Sequence, residues 1–377
     1  MSSQVAASPS DTLVGVSVVD GDLTLTDGER TVEVAAVWLR DSCTDAESRD
    51  PVSGQRLFDI GDLPPDVRVV EARVSGGTLE VGFAPDGHRS RFDLGELLDA
   101  VRTPPRDDRN ESGKRLWPRV TDLGGLTRVP WARYVADPAP VLRSVVEDGF
   151  ALLAEVPARE GQVIDVAETF GFVRETNYGR IFDVRIEDNA TNLAFTGRAI
   201  SPHTDNPYRD PVPTIQLLHC LANAADGGDS GLVDGFAAAA RLREQDPAAF
   251  SVLATTKVAY RFDSPDAHLE SLAPLVGLDA GGRIREIRYN NRSMRVPALP
   301  REEATAFYAA YRALADLVLD PAAQLRFRLD PGDCVIFDNT RVLHARSAFQ
   351  AVGGRHLQGT YADLDGLLST LATLAGR

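Results

Sequence analysis

Three metal-ligand side chains far apart in the chain make the strongest demand on its fold. His203 and Asp205 sit in Ser-Pro-His203-Thr-Asp205-Asn-Pro-Tyr208, and His344 follows 141 residues later in Cys-Val-Ile-Phe-Asp-Asn-Thr-Arg-Val-Leu-His344-Ala-Arg346. In extended chain, residues i and i+2 face the same side, so His203 and Asp205 can present an imidazole and a carboxylate to one point. A fold that uses all three must bring two distant extended segments side by side.

Two histidines and one carboxylate on one face, with open positions opposite, form the facial triad of non-haem iron(II) oxygenases. An isolated His-x-Asp is also what a loop histidine beside a turn aspartate looks like. Here it has company: Arg355 lies 11 residues beyond His344, at the start of the strand-like run LQGTYAD. An arginine there can fork onto the distal carboxylate of 2-oxoglutarate, a bidentate contact that lysine cannot copy.

The rest of the chain agrees with an ordinary globular enzyme. Its 377 residues allow a catalytic domain plus a smaller module. A net charge of −15 without a basic run disfavours nucleic acid and anionic membrane as partners. Three scattered cysteines, no apolar run long enough to span a bilayer and no secretory signal suit a reducing cytoplasm. Asp-Gly and Gly-Gly pairs between β-rich runs predict a small antiparallel β domain over residues 11–100. Residues 101–124, rich in Pro and charge, read as a linker, and residues 125–377 as the larger unit. In that unit strands are expected at Thr214–Cys220, Cys334–Phe337 and Leu357–Ala362. Helices are expected at Pro140–Asp148, Gly235–Ala254 and Arg301–Leu319, the last with Phe307, Tyr311, Leu314 and Val318 at helical spacing. Short strands with interspersed helices and no nucleotide-binding glycine loop predict a mainly β sandwich decorated by helices.

The runs NLAFTGRAISPHTDNPYRDPVPTIQLLHCLANAADGGDSGLVDGF and PGDCVIFDNTRVLHARSAF, with AVWLRDSC and SGQRLFDI nearer the start, resemble the γ-butyrobetaine hydroxylase and trimethyllysine hydroxylase family of the taurine-dioxygenase-like group. The resemblance spans nearly the whole chain. It implies a double-stranded β-helix (jelly-roll) core, a homodimer, a hydroxylase using iron(II), O2 and 2-oxoglutarate with release of succinate and CO2, and ascorbate as reductant. Carried over by position, His203, Asp205 and His344 match the iron ligands and Arg355 the 2-oxoglutarate arginine. Ser230 falls where a hydroxyl touches the same co-substrate, and Asn192 matches an asparagine of the metal pocket. Tyr178, Phe182, Phe195 and Tyr361 align with an aromatic cage for a trimethylammonium group, whose lack of N–H donors suits ring faces.

Asn206, Tyr208 and Arg292 are candidates to read an acidic head group, with Arg295 as a neighbour that is equally a surface charge. The expected substrate is a small trimethylammonium acid such as γ-butyrobetaine. A trimethylaminoalkyl phosphonate and a non-betaine amino acid or biosynthetic intermediate are the enzymatic alternatives. A catalytically silent binding or sensing module is the alternative of another class. In one respect the chain departs from the family: of the structural zinc ligands in the N-terminal domain only Cys43 and His88 match, and two ligands cannot close a tetrahedral site. No zinc is therefore expected, and Cys43 reads as a small buried residue.

Overall fold

A computed structural model describes residues 14–28, 30–102, 107–186, 196–350 and 354–376. The chain divides into two compact units, one up to Arg106 and one from Asp107 onward.

The first unit contains two three-stranded antiparallel sheets, Val14–Val19, Asp22–Asp27 and Arg30–Val34, and Arg68–Ser75, Thr78–Ala84 and Arg89–Asp93. Two of its hairpins turn on residue pairs with positive φ, Asp20-Gly21 and Gly76-Gly77, the backbone a tight two-residue turn needs. Leu23, Leu25, Leu39, Val81 and Phe83 fill the core beneath.

The second unit is mainly sheet with helices packed outside. A six-stranded sheet runs in the order Arg128–Pro130, Phe150–Ala154, Cys334–Asp338, Ile215–Asn223, Arg355–Ala362 and Phe182–Val184, and a four-stranded sheet in the order Ile200–His203, Val342–Arg346, Ser230–Asp234 and Leu325–Phe327. All pairings are antiparallel except that of 128–130 with 150–154. Phe150, Leu152 and Phe337 of the larger sheet meet Leu232, Phe327 and Val342 of the smaller one in a shared core. The helices Ala139–Asp148, Gln162–Glu168 and Leu364–Ala375 cover the other face of the larger sheet through Leu142, Val145, Val163 and Leu367. Covered on both sides, the 215–223 strand is buried over most of its length, Ile215, Leu217 and Cys220 being fully so.

Two sequence expectations change. The helix expected over Gly235–Ala254 breaks into Gly235–Gln245 and Pro247–Thr255. Pro247 has no N–H for the upstream helix, and the Asp246 carboxylate caps the new one by accepting from Ala249 N at 2.9 Å. The expected linker 101–124 is also not loose chain from Asp107 on. Trp117 is 1% exposed, its Nε1 donates to Asp148 O at 2.7 Å, and its backbone N donates to Asp234 Oδ2 at 3.1 Å. The proline and charge content of the segment conceals this single anchoring indole. Arg301–Leu319 is one helix, with Phe307, Leu314 and Val318 buried. No helix among the described residues is long and apolar enough to cross a membrane.

Candidate active site

One strand pairing meets the demand that the triad makes. The strand Ile200–His203 lies antiparallel to Val342–Arg346 with His203 directly opposite His344, and their rings stand 4.1 Å apart. Asp205 follows just past the strand end. Its Oδ1 lies 3.3 Å from His203 Nε2 and its Oδ2 3.7 Å from His344 Nε2, and one ligand atom from each of the three lies within 4.8 Å of the others. His203 Nδ1 donates to Ser201 O at 2.9 Å, so the lone pair sits on Nε2, facing Asp205. This donor set, two neutral imidazoles and a carboxylate on one side, fits an iron(II) ion with open coordination positions.

The electrostatics agree. Burial pushes His203 below its ordinary value, with Arg292 adding to the effect, and burial with His203 beside it lowers His344 to about 3. Burial alone would raise Asp205, but His344, His203 and Arg292 outweigh it and hold the carboxyl far below the usual range. The imidazoles are thus neutral and the carboxylate ionised, the states that ligate metal.

Asp205 is held from behind. Its backbone N donates to Asn339 Oδ1 at 2.8 Å, and Asn339 Nδ2 returns to Asp205 O at 2.9 Å. Oδ2 accepts from Gln216 Nε2 at 2.9 Å and from Tyr361 Oη at 3.0 Å. Gln216 and Tyr361 can converge because they are directly opposite in the pairing of 215–223 with 355–362. Such supports orient a ligand and tune its metal affinity.

Arg355 opens the 355–362 strand and is 6% exposed; its Nε and Nη1 find no partner among the described residues. Burial lowers its pKa. An unpaired buried cation is costly, and an incoming carboxylate removes that cost. Gly228 makes room: a Cβ there would lie 3.1 Å from Arg355 Cδ and Nε, and its φ of 75° favours glycine in any case. Ser230 pairs in register with Arg346 and lines the same cavity as the triad and Arg355.

That cavity has a volume of about 490 Å3 and one aromatic side. Phe182 stacks on Tyr361 at 5.1 Å and lies 6.3 Å from Tyr178. Phe182 fits there because its cross-strand partner is Gly359, where any Cβ would strike the ring at 2.2 Å. The sequence reading missed Phe262, which meets Tyr178 edge-on at 5.8 Å and stacks on Tyr208 at 5.1 Å. Alternation in the strand Val258–Ser264, with Val258 and Tyr260 buried, was its only signal. Asn206, Tyr208 and Arg292 line the cavity, as do Asn290 and Ser293, which were also missed. Arg295 reaches the rim but is exposed, its Nη1 spent on the carbonyls of Arg292 and Met294. Asn192 and Phe195 lie outside the described residues.

In the first unit the ligand count changes. Asp45 joins Cys43 and His88, one ligand atom of each within 4.8 Å of the others. These groups already satisfy one another or the backbone. Asp45 Oδ2 accepts from Ser90 at 2.8 Å and lies 3.0 Å from His88 Nε2, while the buried Cys43 thiol donates to Leu39 O. Burial raises the Cys43 pKa, away from the thiolate that zinc binds. The set does not fit a closed four-ligand zinc site.

Comparison with known proteins places this geometry. The family described as taurine catabolism dioxygenase TauD, TfdA family matches residues 120–361. A γ-butyrobetaine dioxygenase from Pseudomonas sp. (strain AK-1) is 35% identical over 353 residues, covering 90% of this chain and 89% of the relative. The γ-butyrobetaine dioxygenase of Homo sapiens is 30% identical over 355 residues, 91% of each. A trimethyllysine dioxygenase from Meyerozyma guilliermondii is 28% identical over 376 residues, 92% of each. Among solved structures, an asparagine oxygenase in complex with Fe(II), 2S,3S-3-hydroxyasparagine and succinate gives a TM-score of 0.47 at 17% identity, covering 62% of this chain and 80% of that one.

Proposed function

The chain belongs to the TauD, TfdA family and is an iron- and 2-oxoglutarate-dependent oxygenase, and from that premise we propose that it hydroxylates a small trimethylammonium compound carrying an acid group, such as γ-butyrobetaine. The observation that carries this reading is the aromatic wall of Tyr178, Phe182, Phe262 and Tyr361 in the same cavity as the triad. Ring faces attract a cation that has no N–H to donate. The identity to γ-butyrobetaine dioxygenases supports the same reading.

Iron(II) with 2-oxoglutarate and O2, when bound, would supply the oxidant for C–H hydroxylation, one oxygen atom of O2 going to the substrate and the other to the succinate left as 2-oxoglutarate loses CO2. His203, Asp205 and His344 would hold the metal, with Gln216 and Tyr361 fixing the carboxylate. Arg355 anchors the distal carboxylate of 2-oxoglutarate, helped by the Ser230 hydroxyl. The aromatic wall orients the substrate's cation, while Asn206 and Arg292, which line the same cavity, take its acid group. No general base is assigned, since hydrogen abstraction from carbon needs none. The two facing sheets support a double-stranded β-helix core, the family resemblance supports a homodimer, and three scattered cysteines suit a reducing cytoplasm.

The test is succinate formation with iron(II), ascorbate and a panel of γ-butyrobetaine, trimethyllysine, a trimethylaminoalkyl phosphonate and neutral isosteres. Stimulation by a trimethylammonium acid, and not by its neutral isostere, is expected; equal stimulation by both would overturn the reading.

A further inference from the structure

A hydrogen-bond chain in the cavity plays no part in holding metal or co-substrate. Tyr208 Oη donates to Asn206 Oδ1 at 2.8 Å and lies 3.1 Å from Tyr178 Oη. A phenol has one proton, and that of Tyr208 goes to Asn206, so Tyr178 is the donor in the second contact. The chain therefore runs in one direction, from Tyr178 through Tyr208 to Asn206. Phe262 stacks on Tyr208 with an interplanar angle of 27° and meets Tyr178 edge-on, so both rings are braced.

At the far end Asn206 is 3% exposed and sits at φ 53°. Asparagine takes this left-handed backbone more readily than most side chains, and here the surrounding contacts hold it. With Oδ1 turned to Tyr208, the Nδ2 group is buried in the cavity wall with no partner among the described residues. An unused buried donor of this kind calls for an acceptor from the ligand.

We propose that Tyr208 is a positioning residue that sets the distance the enzyme reads between the cationic and acidic ends of its substrate. It locks the Asn206 amide with Nδ2 toward the acid group, and it ties that donor to Tyr178, a ring of the aromatic wall that takes the trimethylammonium. Both ends of the substrate thus hang on one hydrogen-bonded chain. Tyr208 acts through Asn206 and does not donate to the acid itself. This assignment rests on the trimethylammonium-acid reading given above.

The test compares γ-butyrobetaine with propyltrimethylammonium, which keeps the cation and lacks the acid. Tyr208→Phe keeps the stacked ring and removes the hydroxyl. It should raise the KM for γ-butyrobetaine about tenfold, with kcat moving less, and weaken propyltrimethylammonium as a competitive inhibitor less than about twofold. Asn206→Asp keeps the acceptor for Tyr208 but replaces the unpartnered donor with a carboxylate oxygen; it should cost the acid-bearing ligand more than Tyr208→Phe does. The double variant Asn206→Ala/Tyr208→Phe should be no worse than Asn206→Ala alone, because Tyr208 works through Asn206. Additive losses, or equal losses for the two ligands in Tyr208→Phe, would overturn the proposal. Failure of the substrate reading looks different: the wild-type protein would then bind a neutral isostere as tightly as γ-butyrobetaine.

Discussion

Tyr361 touches the metal site with its hydroxyl and the substrate side with its ring: Oη donates to Asp205 Oδ2 at 3.0 Å while the ring stacks on Phe182 at 5.1 Å. Burial and the neighbouring Asp205 raise its pKa well above the ordinary phenol value, so it stays a donor throughout the working pH range. Tyr361→Phe keeps the ring and removes one of two hydrogen bonds to Oδ2, leaving Gln216. The expected result is about a tenfold weaker apparent iron(II) affinity, read from turnover against iron concentration. An unchanged metal titration would show that Gln216 alone suffices.

Removing a ligand is more severe than loosening one. His203→Ala and Asp205→Ala should each abolish succinate formation, and a chelator should abolish it in the wild type with recovery on adding iron(II). Turnover surviving in either variant would mean that the metal is held elsewhere.

Arg355 offers a fork to a planar carboxylate and has two nitrogens without a hydrogen-bond partner among the described residues. Arg355→Lys preserves charge but not the fork, so the KM for 2-oxoglutarate should rise by about tenfold or more, with the KM for the prime substrate moving less. If both constants moved alike, the residue would be supporting the whole cavity and not the co-substrate.

Tyr178→Ala removes one face of the aromatic wall. A cation–π contribution of about 0.5–2 kcal/mol predicts a loss of roughly 2- to 30-fold for the trimethylammonium ligand and much less for its neutral isostere. Competitive inhibition constants for the two would decide it, equal losses counting against a cation site.

His219 is fully buried, neither ring nitrogen makes a hydrogen bond of standard geometry among the described residues, and burial lowers its pKa to about 4, opposed by the backbone at Val156. The unfolded chain takes up this proton near the ordinary value of 6.5, and the folded one only near 4. Above pH 6.5 the residue is neutral in both states and costs nothing through titration. As pH falls from 6.5 towards 4, the unfolded state binds the proton first and stability drops, by up to about 1.4 kcal/mol per pH unit. His219→Gln should flatten this part of a Tm-against-pH curve; a slope identical to wild type would place the acid sensitivity in other groups.

Much of the site was legible because its chemistry needs particular residue types. The His203-Thr-Asp205 spacing, His344 and Arg355 can be read in a line of text, and one strand pairing sets His203 opposite His344 as their chemistry requires. The helix Arg301–Leu319 was legible through its periodicity, and the break at Asp246-Pro247 is signalled by the proline itself, which the expectation of one helix passed over among the helix formers around it. Trp117 was hidden by the polar composition around it, and Asp45 because only Cys43 and His88 match the family's zinc ligands.

Gln216 and Phe262 show where a linear reading ends. Gln216 is a polar residue inside the apolar run TIQLL, and only its register opposite Tyr361 aims its amide at Asp205 Oδ2. Phe262 belongs to a hairpin far from the triad in sequence, and packing alone sets its ring between Tyr178 and Tyr208. The sequence by itself picked out the candidate ligands, the candidate co-substrate arginine and most local elements, because these depend on residue chemistry and short-range spacing. Only the tertiary structure decided which donors orient Asp205 and which rings and amides line the cavity. Those depend on strand register and long-range packing, where a shift of one residue turns a side chain to the other face.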